Sequence, residues 1–134
     1  MADTFKFELV SPERVLLSED AEQVVLPGVQ GDFAVMLNHA PMLSMLRPGV
    51  LNVQLPSGTR RVFVKGGFAE VEPDRLTVLA QTAFDADSSS APGAIEAELT
   101  AAQAELDEAG DDDARFMAQE AIDRLRALQA GGRG

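Results

Sequence analysis

The sequence contains no cysteine, tryptophan or tyrosine, and only one histidine, His39. Without cysteine there is no disulfide, no thiolate nucleophile and no Cys-ligated metal, which suits a reducing compartment. One histidine leaves too thin an inventory of bases for hydrolytic or redox chemistry. A Ser-His-Asp site can be drawn on paper from His39, Ser44 and Asp32, but no nucleophile-elbow pattern surrounds any serine. Paired carboxylates are plentiful, yet sugar-cleaving and sugar-binding sites lean on Trp and Tyr platforms that are absent here. Basic residues are scarce as well: 11 Lys plus Arg stand against 22 Asp plus Glu, a formal net charge of -11. That balance opposes a grip on phosphate backbones, so nucleic acid is not an expected partner. No long apolar run occurs, and Met1-Ala2-Asp3-Thr4-Phe5-Lys6 lacks the basic start and apolar stretch of a signal peptide. Membrane association is therefore expected only through partners.

What is present divides into two parts near Phe84. Residues 1–84 hold six of the seven prolines, six of the eleven glycines, and 10 acidic against 7 basic side chains, a net of -3. Residues 85–134 hold 12 acidic against 4 basic side chains, a net of -8, and are rich in the helix formers Ala, Glu, Leu and Gln. In the first part apolar residues recur with period two: Phe5, Phe7 and Leu9; Val24 and Leu26; Leu51, Val53 and Leu55; Val62 and Val64; Leu76, Val78 and Ala80. These read as half-buried strands. Turn signals separate them at Ser11-Pro12, Pro27-Gly28, Pro48-Gly49, Pro56-Ser57-Gly58 and Pro73-Asp74. Many short strands with such turns imply a β-sandwich or barrel over 1–84. Asp85 to Gly93 has the composition of a linker.

Beyond it, Ile95, Leu99, Ala102 and Leu106 fall on one helical face, as do Ala114, Ala118, Ala121, Leu125 and Leu128. Ser89 or Ser90 is placed to cap the first helix with Pro92 in its first turn, Gly110 to end it in a left-handed conformation, and Asp111–Asp113 to start the second. Asp111 with Arg115 and Glu120 with Arg124 are acid-before-base pairs four residues apart. The spacing predicts an antiparallel two-helix hairpin over 94–130, with a disordered tail at 131–134. By chemistry alone His39 is either a hydrogen-bonded loop residue or part of a docking surface. Arg60-Arg61 reads as a solvated strand edge or a partner patch. The hairpin either packs on the sandwich or serves as a detachable arm. A free-standing β-sandwich binding module with a helical dimerisation hairpin satisfies the same patterns.

The segment from Gly28 to Gly49, with Gly28-Val29-Gln30-Gly31, then an apolar strand, His39-Ala40-Pro41 and a closing Pro48-Gly49, resembles the signature of the epsilon subunit of the bacterial F-type ATP synthase. Gly66-Gly67-Phe68-Ala69-Glu70-Val71 and Val78-Leu79-Ala80 extend the likeness over about residues 3–84; the helical part matches in plan. The resemblance implies a β-sandwich of about ten strands followed by a helical hairpin. It implies a non-catalytic rotor subunit of the proton-translocating enzyme, joining the gamma subunit to the c-ring on the cytoplasmic face of the inner membrane. By motif position it puts Gln30, Gly31, Asp32, His39, Ala40, Pro41 and Met42 in contact with the c-ring. It further implies a hairpin able to reach the alpha and beta subunits through basic helix residues, here Arg115, Arg124 and Arg126. These stand among Asp111, Asp112, Asp113, Glu120 and Asp123, so the attraction and any inhibition of ATP hydrolysis are expected to be weak. Some relatives bind ATP through an Ile/Leu-Asp-x-x-Arg-Ala motif at the first helix. Ser89–Ala94 lacks it, and no cofactor is expected. Ile122–Ala127 satisfies the pattern in the second helix, where an amphipathic arm contains the same residue types.

Overall fold

The structure, a computed structural model, describes residues 3–131. Eight strands are followed by two helices: β1 Phe5–Val10, β2 Val15–Ala21, β3 Gln23–Gly28, β4 Gly31–Val35, β5 Met42–Leu46, β6 Gly49–Leu55, β7 Gly58–Glu72, β8 Arg75–Asp85, α1 Ala91–Asp107 and α2 Asp112–Gln129. All neighbouring strands are antiparallel except β1 and β8, which run parallel from Lys6 beside Arg75 to Val10 beside Leu79.

The β-sandwich is present, and its strand count differs from the expected ten for a topological reason. Strand β7 has 15 residues and β8 has 11. The first part of β7, Gly58–Val64, pairs with β6, and its last part, Gly67–Val71, pairs with β5. Strand β8 pairs with β1 through Leu79 and with the first part of β7 near Phe84. Each long strand therefore bends from one layer into the other, and eight strands supply ten strand segments, five per layer. We call the layer β2-β1-β8-β7-β5 the first and the layer β4-β3-β6-β7-β8 the second. The bend falls where the sequence has Gly66-Gly67. Gly66 adopts φ +70°, and a Cβ on Gly67 would lie 1.8 Å from the carbonyl oxygen of Leu79. Only glycine permits both the left-handed turn and the close approach.

The period-two residues face inward as expected. Phe7, Leu9, Leu76 and Val78 of the first layer meet Val24, Leu26, Leu51, Val53 and Val64 of the second, all at 0–1% exposure. Two-residue turns occur at Pro56-Ser57 and Pro73-Asp74, as the prolines suggest. Pro27-Gly28 instead closes β3, and the turn follows at Val29-Gln30, because Gly28 still pairs with Gly31.

The hairpin lies on the outer face of the second layer. Residues that alternate outward there, Val50 and Phe63, pack with Ile95, Leu125 and Leu128 of the helices, and Phe84 stacks on Phe63 with ring centroids 5.1 Å apart. Ala102, Ala121 and Ile122 hold the two arms together, and Gln129 donates to Glu96 across them at 2.6 Å. Lys65 of β7 pairs with Glu98 and Glu105 of α1, and Arg61 donates to Asp87 at 2.6 Å beside the linker.

Several local expectations are corrected. β8 reaches Asp85 and α1 opens at Ala91, ahead of the expected 94, so the join spans residues 86–90. Ser90 stands at the N-cap, but its hydroxyl faces that of Ser88 at 3.0 Å rather than the backbone. Gly110 does not take a positive φ; the C-cap of α1, Glu108, is in right-handed geometry with its N–H bonded back to the Ala104 carbonyl, so no left-handed residue is needed. Asp111 spends its carboxylate on the α2 N-cap, accepting from the Ala114 N–H at 2.7 Å, which leaves Arg115 to pair with Asp112. The expected tail lies, from residue 132 onward, outside the described residues.

Candidate functional site

Two surfaces stand out, one at an end of the sandwich and one on a side. The end surface is the β3–β4 turn with its support. Val29 and Gln30 form a two-residue turn, and Gly31 takes φ +132°, a value side chains rarely adopt. Gln30, Gly31 and Asp32 are exposed, and Val29 keeps 47% of its surface in solvent. Arg47, in the β5–β6 connection, braces the turn from behind: Nε donates to the Gly28 carbonyl at 2.8 Å and Nη2 to Asp32 at 2.6 Å. Its own N–H donates to the Pro27 carbonyl at 2.7 Å. The turn is thus fixed by backbone and side-chain bonds together.

The second predicted segment, His39 to Met42, lies in the β4–β5 connection. Asn38 takes φ +69° there and donates its N–H to the Pro73 carbonyl at 2.7 Å. His39 Nδ1 sits 2.7 Å from the Ala40 carbonyl oxygen and donates to it, which ties the ring to its own loop. Ala40, Pro41 and Met42 are exposed. The structure does not bring this segment beside the β3–β4 turn. Met42 pairs with Val71 at one end of β5, whereas Gly28 pairs with Leu46 and Val29 bonds to Met45 at the other end. Four residue steps along β5, at about 3.3 Å each, place the two segments about 13 Å apart. His39, Ser44 and Asp32 likewise form no triad: among the described residues no hydrogen bond links any two of them.

The side surface is the outer face of the first layer, and motif reasoning missed its residues. Met45, Phe68, Leu79 and Val10 form one cross-strand row, each in register with the next. Met45 is 57% and Leu79 39% exposed; Leu43, one pair along β5, is 65% exposed. A shallow cavity of about 380 Å³ runs along the row, bordered by Pro12 and by Met117 of α2. The signal was available in the sequence. Met42-Leu43-Ser44-Met45-Leu46 and Val78-Leu79-Ala80 are apolar at both alternating positions, the pattern of strands covered on both faces.

The predicted regulatory residues all lie on α2. Arg115 pairs with Asp112 at 2.8 Å and Arg124 with Glu120 at 3.6 Å, both on their own helix. Arg126 is in the last turn. Among the described residues no cluster of three or more His, Asp or Glu could hold a metal, and no helix is long and apolar enough to cross a membrane.

Residues 4–86, the whole sandwich with the shared strands and both surfaces, match the family described as "ATP synthase, Delta/Epsilon chain, beta-sandwich domain". The chain belongs to the ATP synthase delta/epsilon chain family. Over its full length it is 50% identical to the ATP synthase epsilon chain of Rhodospirillum rubrum, with 100% of both chains covered. It is 43% identical to that of Parvibaculum lavamentivorans, covering 96% of this chain and 98% of the relative. Epsilon chains of the family are non-catalytic subunits of the synthase. The fold is also that of a chain in the Euglena gracilis mitochondrial ATP synthase OSCP/F1/c-ring structure, at TM-score 0.69 and 20% identity over 96% of this chain and 81% of that one. A chain of the Tetrahymena thermophila mitochondrial ATP synthase central stalk and c-ring gives TM-score 0.59 at 15% identity, covering 97% of both.

Proposed function

We propose that the chain is a rotor-stalk adaptor that couples the gamma subunit to the c-ring during proton-driven ATP synthesis, held at the cytoplasmic face of the inner membrane by those partners. The carrying observation is the asymmetry of the two outer faces. The second layer is covered by the chain's own hairpin, while the first presents the in-register row Met45, Phe68 and Leu79 with Leu43 beside it. Burying a Leu, Met or Phe side chain contributes about 1.5–3 kcal/mol, so this face offers gross stabilisation of the size a lasting interface draws on. We assign that face to gamma. Gln30, Gly31 and Asp32 face the c-ring; His39, Ala40, Pro41 and Met42, at the other end of β5, lead directly into Leu43 and border the gamma face.

A dimerisation hairpin is not favoured, because the helices place Ile95, Leu125 and Leu128 against the sandwich. We further propose that the hairpin inhibits ATP hydrolysis only weakly. Arg115 and Arg124 are already paired within α2, and extending the arm would uncover Phe63. No nucleotide ligand is assigned: in the Ile122–Ala127 look-alike, Ile122 and Leu125 are buried in packing contacts.

The native chain lacks cysteine, so single introduced cysteines report without background. In the assembled synthase a cysteine at 30, beside the positive-φ Gly31, is expected to crosslink to the ring, and one at 43 to gamma. Absence of both crosslinks in an assembled, active enzyme refutes the assignment. Deleting residues 88–134 is expected to leave ATP hydrolysis within about twofold; a severalfold rise would refute the weak-inhibition reading.

A further inference from the structure

Glu120 of α2 is in an unusual position. Its Oε2 atom is shut off from solvent and accepts no hydrogen bond among the described residues. Two guanidinium groups lie within ion-pair range of it but beyond hydrogen-bond reach: Arg47 Nη1 at 3.8 Å and Arg124 Nε at 3.6 Å. A buried carboxylate oxygen gains by accepting a charge-assisted bond and costs free energy while it lacks one. Arg47, the sandwich's contribution, is held back by its other two nitrogens. Its Nε serves Gly28 and its Nη2 serves Asp32. Asp32 is the exposed member of this set, with 66% of its side chain in solvent, against 19% for Arg47 and 20% for Glu120.

We propose that Arg47 is a positioning residue that exchanges between Asp32 and Glu120, so that a partner engaging Asp32 tightens the hairpin on the sandwich. When a cationic or hydrogen-bonding group on a docked protein takes the Asp32 carboxylate, Nη2 is released. A shift of about 1 Å then brings the guanidinium within bonding distance of Glu120. One planar fork makes this possible, since its donors point in fixed and different directions. By reciprocity a hairpin seated through Glu120 frees Asp32 for the partner, so end-surface docking and the closed hairpin favour each other. The partner half of the proposal rests on the β3–β4 turn being a docking contact; the exchange itself does not.

Hydrogen exchange on the isolated full chain tests the exchange, read at the α2 amides from Ala118 to Leu125. Losing an ion pair ordinarily loosens a structure. Here Asp32→Asn is expected to raise α2 protection about two- to fivefold, the range of a half-exposed charge pair, because Arg47 turns to Glu120. Glu120→Gln is expected to lower it. Adding Asp32→Asn to Glu120→Gln, Arg47→Lys or Arg47→Ala is expected to change nothing, since each removes one arm of the exchange. The lysine and glutamine backgrounds suffice if Arg47→Ala does not fold. Unchanged or reduced protection in Asp32→Asn overturns the exchange, as does an increase that persists without Arg47. In the assembled synthase, a cysteine at residue 30 that never crosslinks to the ring while Asp32→Asn still tightens α2 overturns the ring as the occupant and leaves the exchange standing.

Discussion

Truncating Phe63 to alanine is expected to release the hairpin and spare the sandwich. Phe63 points outward from β7, between the inward-facing Val62 and Val64, so it adds nothing to the core between the layers. Its cover comes from Ile95, Leu125 and Leu128, and from the Phe84 ring stacked at 5.1 Å. Replacing a fully buried Phe by Ala costs about 3–5 kcal/mol. The side chains that remain at the contact each contribute about 1.5–3 kcal/mol when fully buried, less the cost of ordering the arm. Losing the largest of them therefore removes most of the net docking free energy. At about 1.4 kcal/mol per tenfold, even 3 kcal/mol lowers the protection of α2 amides more than 100-fold. The fall stops where the released helices exchange by their own fraying. Amides of Phe7, Leu9 and Val78 are expected to keep their protection, because the released state no longer feels the cavity. Native-state hydrogen exchange resolves both sets in one experiment. Parallel loss of protection in β1 and β8 would refute the reasoning, since it would mean that hairpin and sandwich open as a single unit.

Gly67→Ala is expected to destabilise the sandwich by at least the about 1–3 kcal/mol typical of overpacking, since the new Cβ would meet the Leu79 carbonyl oxygen at 1.8 Å; a lowered urea midpoint checks it. Asp111→Ala removes the carboxylate that accepts from Ala114 and should cost the hairpin about 1 kcal/mol, seen as faster exchange in the first turn of α2. The hydrogen bond from Arg61 holds the Asp87 carboxyl below its ordinary value of 3.8. Because the folded-state value is the lower one, the stabilisation is fully present above the unfolded value and is lost as pH falls through the folded one. With 53% of the Asp87 side chain exposed, its size is a fraction of about 1 kcal/mol. Asp87→Asn should lower the urea midpoint slightly at neutral pH, and the difference from the wild type should vanish as the pH falls through the folded-state value of Asp87.

Much of the architecture was legible because burial imposes its own period. Phe5, Phe7 and Leu9, or Leu51, Val53 and Leu55, alternate because one side of each strand meets the other layer. The hairpin was legible for the same reason, with Ala118, Ala121, Leu125 and Leu128 facing inward. What stayed hidden depends on residues far apart in the chain. Gly66-Gly67 reads locally as a turn or bulge, and only the approach of Leu79 reveals it as a bend in an unbroken strand. Gly110 carries the expected residue type without the expected conformation, since Glu108 already closes the helix. At the candidate site, the motif drew attention to the β3–β4 turn and to His39–Met42. Arg47 carried no signal, because its partners Gly28, Asp32 and Glu120 are distant in sequence and meet only after folding. The row Met45, Phe68 and Leu79 was readable as a two-sided apolar pattern but not as a row, because register is a property of the assembled sheet.

The continuity of β7 and β8 through both layers bears on how the module carries load. Where two separate sheets merely face each other, sideways force is resisted by side-chain contacts, which creep by rotamer hops. Here two backbones cross the corner together, hydrogen-bonded on either side of it from Glu72–Arg75 to Val62–Asp85. Shearing one layer over the other would have to bend covalent chain and break that ladder at once. Torsional stiffness is therefore written into the path of the chain, and modest changes in core side chains should leave it largely intact.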